Sequence, residues 1–234
     1  MPEFFDHSLP PSVTLVIGRS GSGKTSFCYR LIVNALTPQD ANPEPVACVF
    51  IYDWKREAEN RLGIPAVTTE AGCEAALQNR IVVFNPHSMF PGTSLVPPPE
   101  GGEKILNDYR LGVRWFCDWA FAACKRGPGP KLVYLDELRE FQSTFRIPPE
   151  LGRLARMGRA VGCRLLTSTQ FPRDYHKDLR SSVTEWVCFN CSEPVELDAV
   201  RPYFSGVDVA AGLPRGEFVA FNRDSAATLR GKLF

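Results

Sequence analysis

The sequence predicts an α/β fold in which a mainly parallel sheet is covered by helices on both faces. Three observations lead to this prediction. Short apolar segments alternate with segments of helical periodicity, a glycine-rich loop joins the first strand to the first helix, and two acidic residues end a later strand. The chain has 234 residues, a length that suits one domain with a full core. We therefore expect residues 1–234 to form a single domain.

Seven strands and six helices are predicted from apolar runs and from apolar residues at helical spacing. The predicted strands are 13–17, 46–52, 80–84, 131–135, 164–169, 186–190 and 217–221. The predicted helices are 24–36, 70–78, 104–125, 149–160, 176–183 and 194–202. Between the third strand and the long helix, residues 86–103 are rich in Pro and Gly, so we expect an exposed loop there.

The composition is that of an ordinary globular protein, with 44% hydrophobic and 23% charged residues. The net charge of +1 does not indicate a nucleic-acid partner, so any such partner must be met by a local basic patch. We expect no transmembrane segment and no signal peptide. The eight cysteines include a lone C-x-x-C, Cys188 to Cys191, without the second pair or histidines of a zinc site. We interpret them as small buried residues in a reducing compartment.

The segment GRSGSGKT at residues 18–25 matches the phosphate-binding pattern G-x-x-x-x-G-K-[ST] without a mismatch. A predicted strand precedes it and a predicted helix follows it, which is the context that the pattern requires. Its glycines allow backbone N–H groups to approach anionic oxygens at the positive end of the helix. We expect the lysine to reach the β- and γ-phosphates of ATP and the threonine to bind Mg²⁺. The predicted nucleotide-binding residues are Gly18, Arg19, Ser20, Gly21, Ser22, Gly23, Lys24, Thr25 and Ser26.

A second motif is the apolar strand LVYL followed by Asp136 and Glu137. Acidic residues at the C-terminal end of a strand lie where α/β sheets bind ligands. Asp136 suits the role of the carboxylate that holds Mg²⁺, and Glu137 suits that of a general base that activates water. The alternative is a strand followed by a solvated helix start, where acidic residues favour the helix dipole.

A third motif is the segment GCRLLTSTQFPRD at residues 162–174. It predicts a strand that ends at Gln170, because Pro172 prevents a central strand from continuing. A glutamine beside a triphosphate can hydrogen-bond the γ-phosphate or the attacking water. Taken alone, such a glutamine is usually only solvated.

Together, the glycine loop, LVYLDE and RAVGCRLLTSTQFPRD resemble the FtsK–HerA superfamily of P-loop ATPases, and most closely the genome-packaging ATPases of icosahedral viruses with an internal membrane. The similarity runs through residues 12–224. It implies a RecA-like (ASCE-type) sheet in which the Gln170 strand lies between the glycine-loop strand and the Asp136 strand. It also implies a DNA translocase that forms a homo-oligomeric ring in the virion or the host cytoplasm, with capsid or portal-vertex proteins as further partners.

The resemblance further implies that an arginine of the neighbouring subunit completes the site. Arg153, Arg156 and Arg159 lie at helical spacing on one face, with no carboxylate at matching spacing. Arg159 stands where the superfamily motif GR-x-x-G has its arginine, so it is the first candidate, followed by Arg156 and Arg180. The basic residues of this region outnumber the acidic ones, which predicts a patch for the DNA backbone; a solvated arginine face is the alternative. The basic residues are Arg146, Arg153, Arg156, Arg159, Arg164, Arg173, Lys177 and Arg180, against Glu150, Asp174 and Asp178.

Three other functions remain open from the sequence. A small-molecule kinase also uses this glycine loop, although it rarely needs an Asp-Glu pair followed by a later glutamine. A protein that holds ATP as a structural ligand would have no use for a general base. A conjugation or filamentous-phage assembly motor belongs to the same superfamily but usually carries membrane segments or added domains.

Overall fold

The computed structural model describes residues 12–37, 45–89, 108–142 and 144–234. In these ranges the strands are β1 (Val13–Ile17), β2 (Cys48–Tyr52), β3 (Ile81–Phe84), β4 (Lys131–Leu135), β5 (Cys163–Thr169), β6 (Glu185–Phe189), β7 (Glu217–Asn222) and β8 (Thr228–Lys232). The α-helices are α1 (Lys24–Leu36), α2 (Ala58–Leu62), α3 (Glu70–Ala76), α4 (Asp108–Lys125), α5 (Pro149–Met157), α6 (Lys177–Ser182) and α7 (Pro194–Val200).

The eight strands form one sheet in the order β3-β2-β4-β5-β1-β6-β7-β8. The pairs from β3 through β6 are parallel, and β7 and β8 are added antiparallel at one edge. The predicted α/β architecture is therefore confirmed. The strand that precedes Gln170 lies between the glycine-loop strand β1 and the Asp136 strand β4, as the resemblance implied.

Both faces of the sheet are buried from β1 to β7, because alternate residues of these strands pack into different clusters. On one face Val16 and Ile51 pack with α1, which contributes Phe27 and Ile32. On the other face the sheet packs against α3 to α7, and Phe116 of α4 lies in this second cluster. The parallel strands consequently run as nearly continuous apolar segments, and their polar residues gather where the strands end.

Among the described residues, one strand and one α-helix were not predicted, and α5 is shorter than predicted. Strand β8 is an edge strand with alternating exposure, and Gly231 interrupts its apolar pattern. The glycine is needed because a Cβ at that position would lie 2.3 Å from the ring of Phe218. Helix α2 has only five residues, too few for a periodic signal. Helix α5 gives way to a 3₁₀ helix at Gly158–Val161, where Gly158 lies close to Cys163 on β5.

All eight cysteines are buried with free thiols, as predicted. Among the described ranges, no helix combines the length and the apolar character needed to cross a membrane. The predicted loop at 86–103 lies outside the described residues from position 90 onward. Whether residues 1–234 form a single domain stays a prediction.

Candidate functional site

The glycine loop turns sharply between β1 and α1 because its glycines adopt backbone conformations that other residues avoid. Gly18, Gly21 and Gly23 have φ angles of 150°, 71° and 116°, all in the region that favours glycine. A Cβ on Gly18 would lie 2.8 Å from both the Cβ of Phe189 and the Oγ of Ser22. The loop is therefore tightly seated on β6. Of the predicted nucleotide-binding residues, the exposed ones are Arg19, Ser20, Gly21 and Ser26, and the buried ones are Gly18, Ser22 and Lys24.

Lys24 begins α1 and points back into the loop. Its Nζ donates a hydrogen bond to the carbonyl oxygen of Arg19 at 3.1 Å. Burial lowers the pKa of Lys24 from its ordinary value, while the nearby carboxylates of Glu137 and Asp136 act in the opposite direction. The predicted carboxylates thus lie close enough to Lys24 to influence its charge, and the loop and the LVYLDE motif form one site.

Asp136 follows β4 and is 8% exposed. Strands on both sides of β4 contribute partners to its carboxylate. The Oγ of Ser168 on β5 donates to Oδ1, and the Nζ of Lys55, which follows β2, lies 2.8 Å from Oδ2. The carboxylate is therefore fixed in orientation and carries a hard oxygen donor set, which suits Mg²⁺. Thr25, half-buried in the first turn of α1, offers a hydroxyl for the same ion.

Glu137 has a left-handed backbone, with φ 50° and ψ 56°. This conformation costs a non-glycine residue on the order of 1 kcal/mol or more, and such strain clusters at functional sites. Its N–H donates to the Oγ of Ser168 at 3.4 Å, and its Oε1 accepts a hydrogen bond from the Nε2 of Gln170 at 3.1 Å. The structure thus brings Glu137 and Gln170 into direct contact, so the glutamine can orient the proposed base.

Lys55 was missed by the sequence reasoning, although a usable signal existed. It follows the buried strand β2 at the same edge of the sheet where Asp136 follows β4. The rule that located Asp136, which looks for charged residues just past the C-terminal end of a parallel strand, applies equally to β2. Ser168 was included in the predicted strand, but its contact with Asp136 depends on the pairing of β4 with β5.

The predicted arginines lie at the other end of the sheet. Arg159 is in the 3₁₀ helix that leads into β5, whereas Gln170 directly follows β5. A strand rises about 3.3 Å per residue, so the seven residues of β5 separate its ends by roughly 20 Å. Arg156 is in the last turn of α5, and Arg180 is in the last turn of α6, five positions before β6 begins. Arg159 therefore does not reach the glycine loop of its own chain.

The arginine face has carboxylate partners within its own chain, although none of them lies at helical spacing. The partners come from distant segments rather than from the same helix, so helical spacing did not reveal them. Arg153 contacts Asp118 of α4. Arg156 lies 3.3 Å from Asp178. Arg159 also lies 3.3 Å from its partner, Asp224. In addition, Arg164 of the basic region is buried in the sheet, with 4% exposure, and is not part of a surface patch.

Arg156 and Arg159 border a cleft of about 300 Å³ at this end of the sheet. Arg223, which follows β7, is a third arginine of the cleft and was not predicted. Its Nη1 donates to the carbonyl oxygen of Ser181 at 2.8 Å, which holds the guanidinium in place. The cleft combines three guanidinium groups with the hydroxyl-bearing residues Ser181, Ser182 and Thr184, a chemistry that suits phosphate.

The sheet order and the connections between its strands are those of the α/β RecA-like P-loop NTPase fold. No family model matches the chain, and no curated protein matches its sequence. Solved structures do match its fold. The genome-packaging NTPase B204 from Sulfolobus turreted icosahedral virus 2, in complex with AMP, has a TM-score of 0.66 and 15% identity over 97% of this chain and 99% of that chain.

Two further structures extend this likeness. B204 from Sulfolobus turreted icosahedral virus, a DNA-packaging ATPase, has a TM-score of 0.60 and 18% identity over 97% of this chain and 100% of that chain. The pCW3 conjugation coupling protein TcpA has a TM-score of 0.55 and 17% identity over 96% of this chain and 60% of that chain. The resemblance stated from the motifs is thus confirmed at the level of the fold.

The seating of the glycine loop on β6 predicts that Gly18→Ala destabilises the folded protein. The added Cβ meets Phe189 and Ser22 in a backbone conformation that alanine avoids, so we expect a loss of about 1–3 kcal/mol in the free energy of unfolding. Chemical denaturation measures it. Gly212→Ala is the control, because a Cβ there meets nothing within 4 Å, and we expect a change within about 0.5 kcal/mol. Equal stability of the two variants would contradict this account of the loop.

Proposed function

We propose that this chain is an ATP-driven DNA translocase that packages a viral genome into a preformed capsid. The observation that carries the proposal is the contact between Gln170 and Glu137 beside the glycine loop and Asp136. A proton acceptor beside a phosphate-binding loop serves ATP hydrolysis. A protein that only holds ATP does not need such an acceptor. The fold shared with viral genome-packaging NTPases supports the choice of substrate.

In the proposed reaction the loop and Lys24 bind the phosphates through N–H groups and a buried ammonium. Thr25 and Asp136 would hold Mg²⁺, which would neutralise phosphate charge. Glu137 accepts a proton from the attacking water. Gln170 keeps the carboxylate of Glu137 oriented and is positioned to respond when the γ-phosphate leaves. Ser168 holds both acidic residues in register through its single hydroxyl.

An arginine from a neighbouring subunit completes the proposed site. The roughly 20 Å between the ends of β5 supports action in trans rather than in cis. Arg159, Arg156 and Arg223 share one cleft of about 300 Å³ with hydroxyl groups. The carboxylate partners of Arg156 and Arg159 are about half exposed. Such exposed pairs contribute little to stability, so a phosphate can displace them at low cost.

Two alternatives differ from the proposal in testable ways. The fold shared with the conjugation coupling protein TcpA favours a conjugation motor as the second candidate; binding to empty capsids separates the two, since a packaging motor requires a capsid partner and a conjugation motor does not. A small-molecule kinase would transfer phosphate to an acceptor and would be indifferent to DNA.

Glu137→Gln is expected to separate nucleotide binding from hydrolysis. Removal of the proton acceptor should lower ATP turnover by about 10²–10⁴-fold, the usual contribution of a general base, while the dissociation constant of ATP stays close to that of the parent. Lys24→Ala is the contrasting variant, because it removes a cation from the phosphates and should impair both. Fluorescent-nucleotide binding and phosphate release measure the two quantities. Near-parental turnover of Glu137→Gln would move the base to another residue.

DNA binding is expected to be electrostatic and indifferent to sequence. Contacts to the phosphate backbone release counterions, so affinity should fall steeply between low and physiological salt. Lys177 of α6 is exposed, and Lys177→Ala should reduce the slope of log K against log salt by about one. Lys232→Ala on the edge strand β8 is the control and should leave the slope unchanged. Binding that is flat with salt, or strongly sequence-selective, would contradict this proposal.

Hydrolysis is expected to depend on assembly. An arginine supplied in trans is worth about 10³–10⁵ in the rate of comparable phosphoryl-transfer enzymes, so specific activity should rise with protein concentration. Arg159→Ala chains keep their glycine loop, and Lys24→Ala chains keep their arginine. Random mixing in a closed ring pairs an intact loop with an intact arginine at about a quarter of the interfaces, so the mixture should recover activity that each variant lacks.

The same mixing experiment with Lys24→Ala chains applies to three further variants, Arg156→Ala, Arg180→Ala and Arg223→Ala. The residue whose variant loses turnover alone and regains it with Lys24→Ala is the arginine that acts in trans. If specific activity is independent of concentration and no mixture recovers, the chain is better interpreted as a monomeric nucleotide-using enzyme.

A further inference from the structure

Lys55 makes the closest contact of an ammonium with the carboxylate of Asp136. Its Nζ lies 2.8 Å from Oδ2, and the two side chains are 27% and 11% exposed. Ser168 occupies the other oxygen of the carboxylate. Because the pair is largely shielded from water, the attraction is stronger than that of an exposed surface pair. Both oxygens of the proposed Mg²⁺-binding carboxylate are therefore already engaged by groups of this chain.

The segment between β2 and α2 fixes Lys55 in this position. Asp53 is buried, and its carboxylate accepts hydrogen bonds from the N–H groups of Glu57 and Ala58 at 2.8 and 3.0 Å. Arg56 has a left-handed backbone, with a φ of 59°. The turn is thus held at its base, and the lysine at its top is directed toward β4. The contact with Asp136 is consequently a feature of the backbone conformation and not of a free surface side chain.

Trp54 strengthens the placement of Lys55 from the other side. Its Nε1 donates to the backbone carbonyl of Asp136 at 3.3 Å, and the Nζ of Lys55 lies 5.2 Å from the centroid of its ring. A cation at this distance from an indole is attracted to the ring face. Trp54 therefore ties β2 to β4 and supports the lysine at the same time.

The charges of the site balance only when Lys55 is counted. Asp136 and Glu137 contribute two carboxylates, and Lys24 of the glycine loop and Lys55, whose Nζ lies 2.8 Å from Asp136, contribute two ammonium groups. A divalent cation that binds to Asp136 without a nucleotide must disrupt the Lys55 ion pair and adds two positive charges to a neutral site. A cation that arrives with the phosphates brings the compensating negative charge with it.

We propose that Lys55 is the built-in counter-ion of Asp136 that a divalent cation displaces, so that the cation binds well only together with nucleotide phosphates. This inference rests on the proposed role of Asp136 in the function above. Lys55 is a positioning residue in this account, because it acts through Asp136. Its consequence is that the site discriminates against a bare divalent cation and responds to the cation–nucleotide complex.

The test is the affinity of the nucleotide-free protein for Mn²⁺, an ion that carboxylate and hydroxyl ligands bind in place of Mg²⁺. Electron paramagnetic resonance of the free ion measures this affinity. Lys55→Met removes the ammonium while keeping a similar side-chain length. It should tighten Mn²⁺ binding by about tenfold, a factor between the contribution of an exposed ion pair and that of a buried hydrogen bond to a charged group. Lys55→Arg keeps the charge and should behave like the parent. In Lys55→Met combined with Asp136→Asn, the gain should vanish.

The same titration in the presence of ADP completes the test. For the parent, ADP should strongly tighten Mn²⁺ binding. For Lys55→Met, ADP should tighten it less, and the difference should equal the factor by which the substitution tightens Mn²⁺ binding in the absence of nucleotide. Unchanged or weaker Mn²⁺ binding by nucleotide-free Lys55→Met would overturn the proposal, the weaker binding showing that Lys55 only orients the carboxylate. Lys55→Gln replaces Lys55→Met if the latter does not fold. A parent that binds no nucleotide would instead refute the proposed function, so the two failures are distinguishable.

Discussion

The insertion of β5 between β1 and β4 is the constraint on which the site depends. Parallel pairing brings the C-terminal ends of the three strands to one edge, and the residues that follow them meet there. Ser168, near the end of β5, then contacts both Asp136 and the backbone of Glu137, and Gln170 reaches the carboxylate of Glu137. Were β4 next to β1 instead, the glycine loop would face Asp136 directly, and no side chain would couple the two acidic residues to the strand that ends in Gln170.

The two ends of β5 lie at two surfaces that differ in charge, one with acidic residues and one with arginines. The edge at the C-terminal ends of the strands holds the acidic residues and the glycine loop, and the other edge holds Arg159 and Arg223 beside the starts of β5 and β6. A rigid sheet keeps these surfaces a fixed distance apart, so one chain does not combine them. Two copies arranged head to tail can do so, because each then offers its arginine edge to the loop edge of the next.

Local sequence signals predicted the elements that local physics determines. The bounds of β1 and α1 agree with the prediction because an apolar run, three glycines and a helical pattern all lie within 13–36. Long-range contacts were not accessible in this way. Arg159 finds its carboxylate 65 positions away, and Lys55 finds Asp136 81 positions away. Strand β8 escaped prediction because Gly231 accommodates Phe218 of β7, a contact that the sequence of β8 does not reveal.

Three cationic groups of the sites described above are held by carboxylates of the same chain. Lys55 faces Asp136, Arg156 faces Asp178, and Arg159 faces Asp224. In each pair the carboxylate neutralises the cation, and binding of the proposed phosphate or metal ion would change that neutralisation. Exposed pairs exchange partners at a cost of about 1 kcal/mol or less, whereas the shielded Lys55–Asp136 pair resists exchange more strongly. The arginine cleft is therefore suited to rapid exchange with phosphate, and the proposed metal site to exchange only when a nucleotide supplies the charge. Bulk composition, with its net charge of +1, conceals both properties because neutralisation is local.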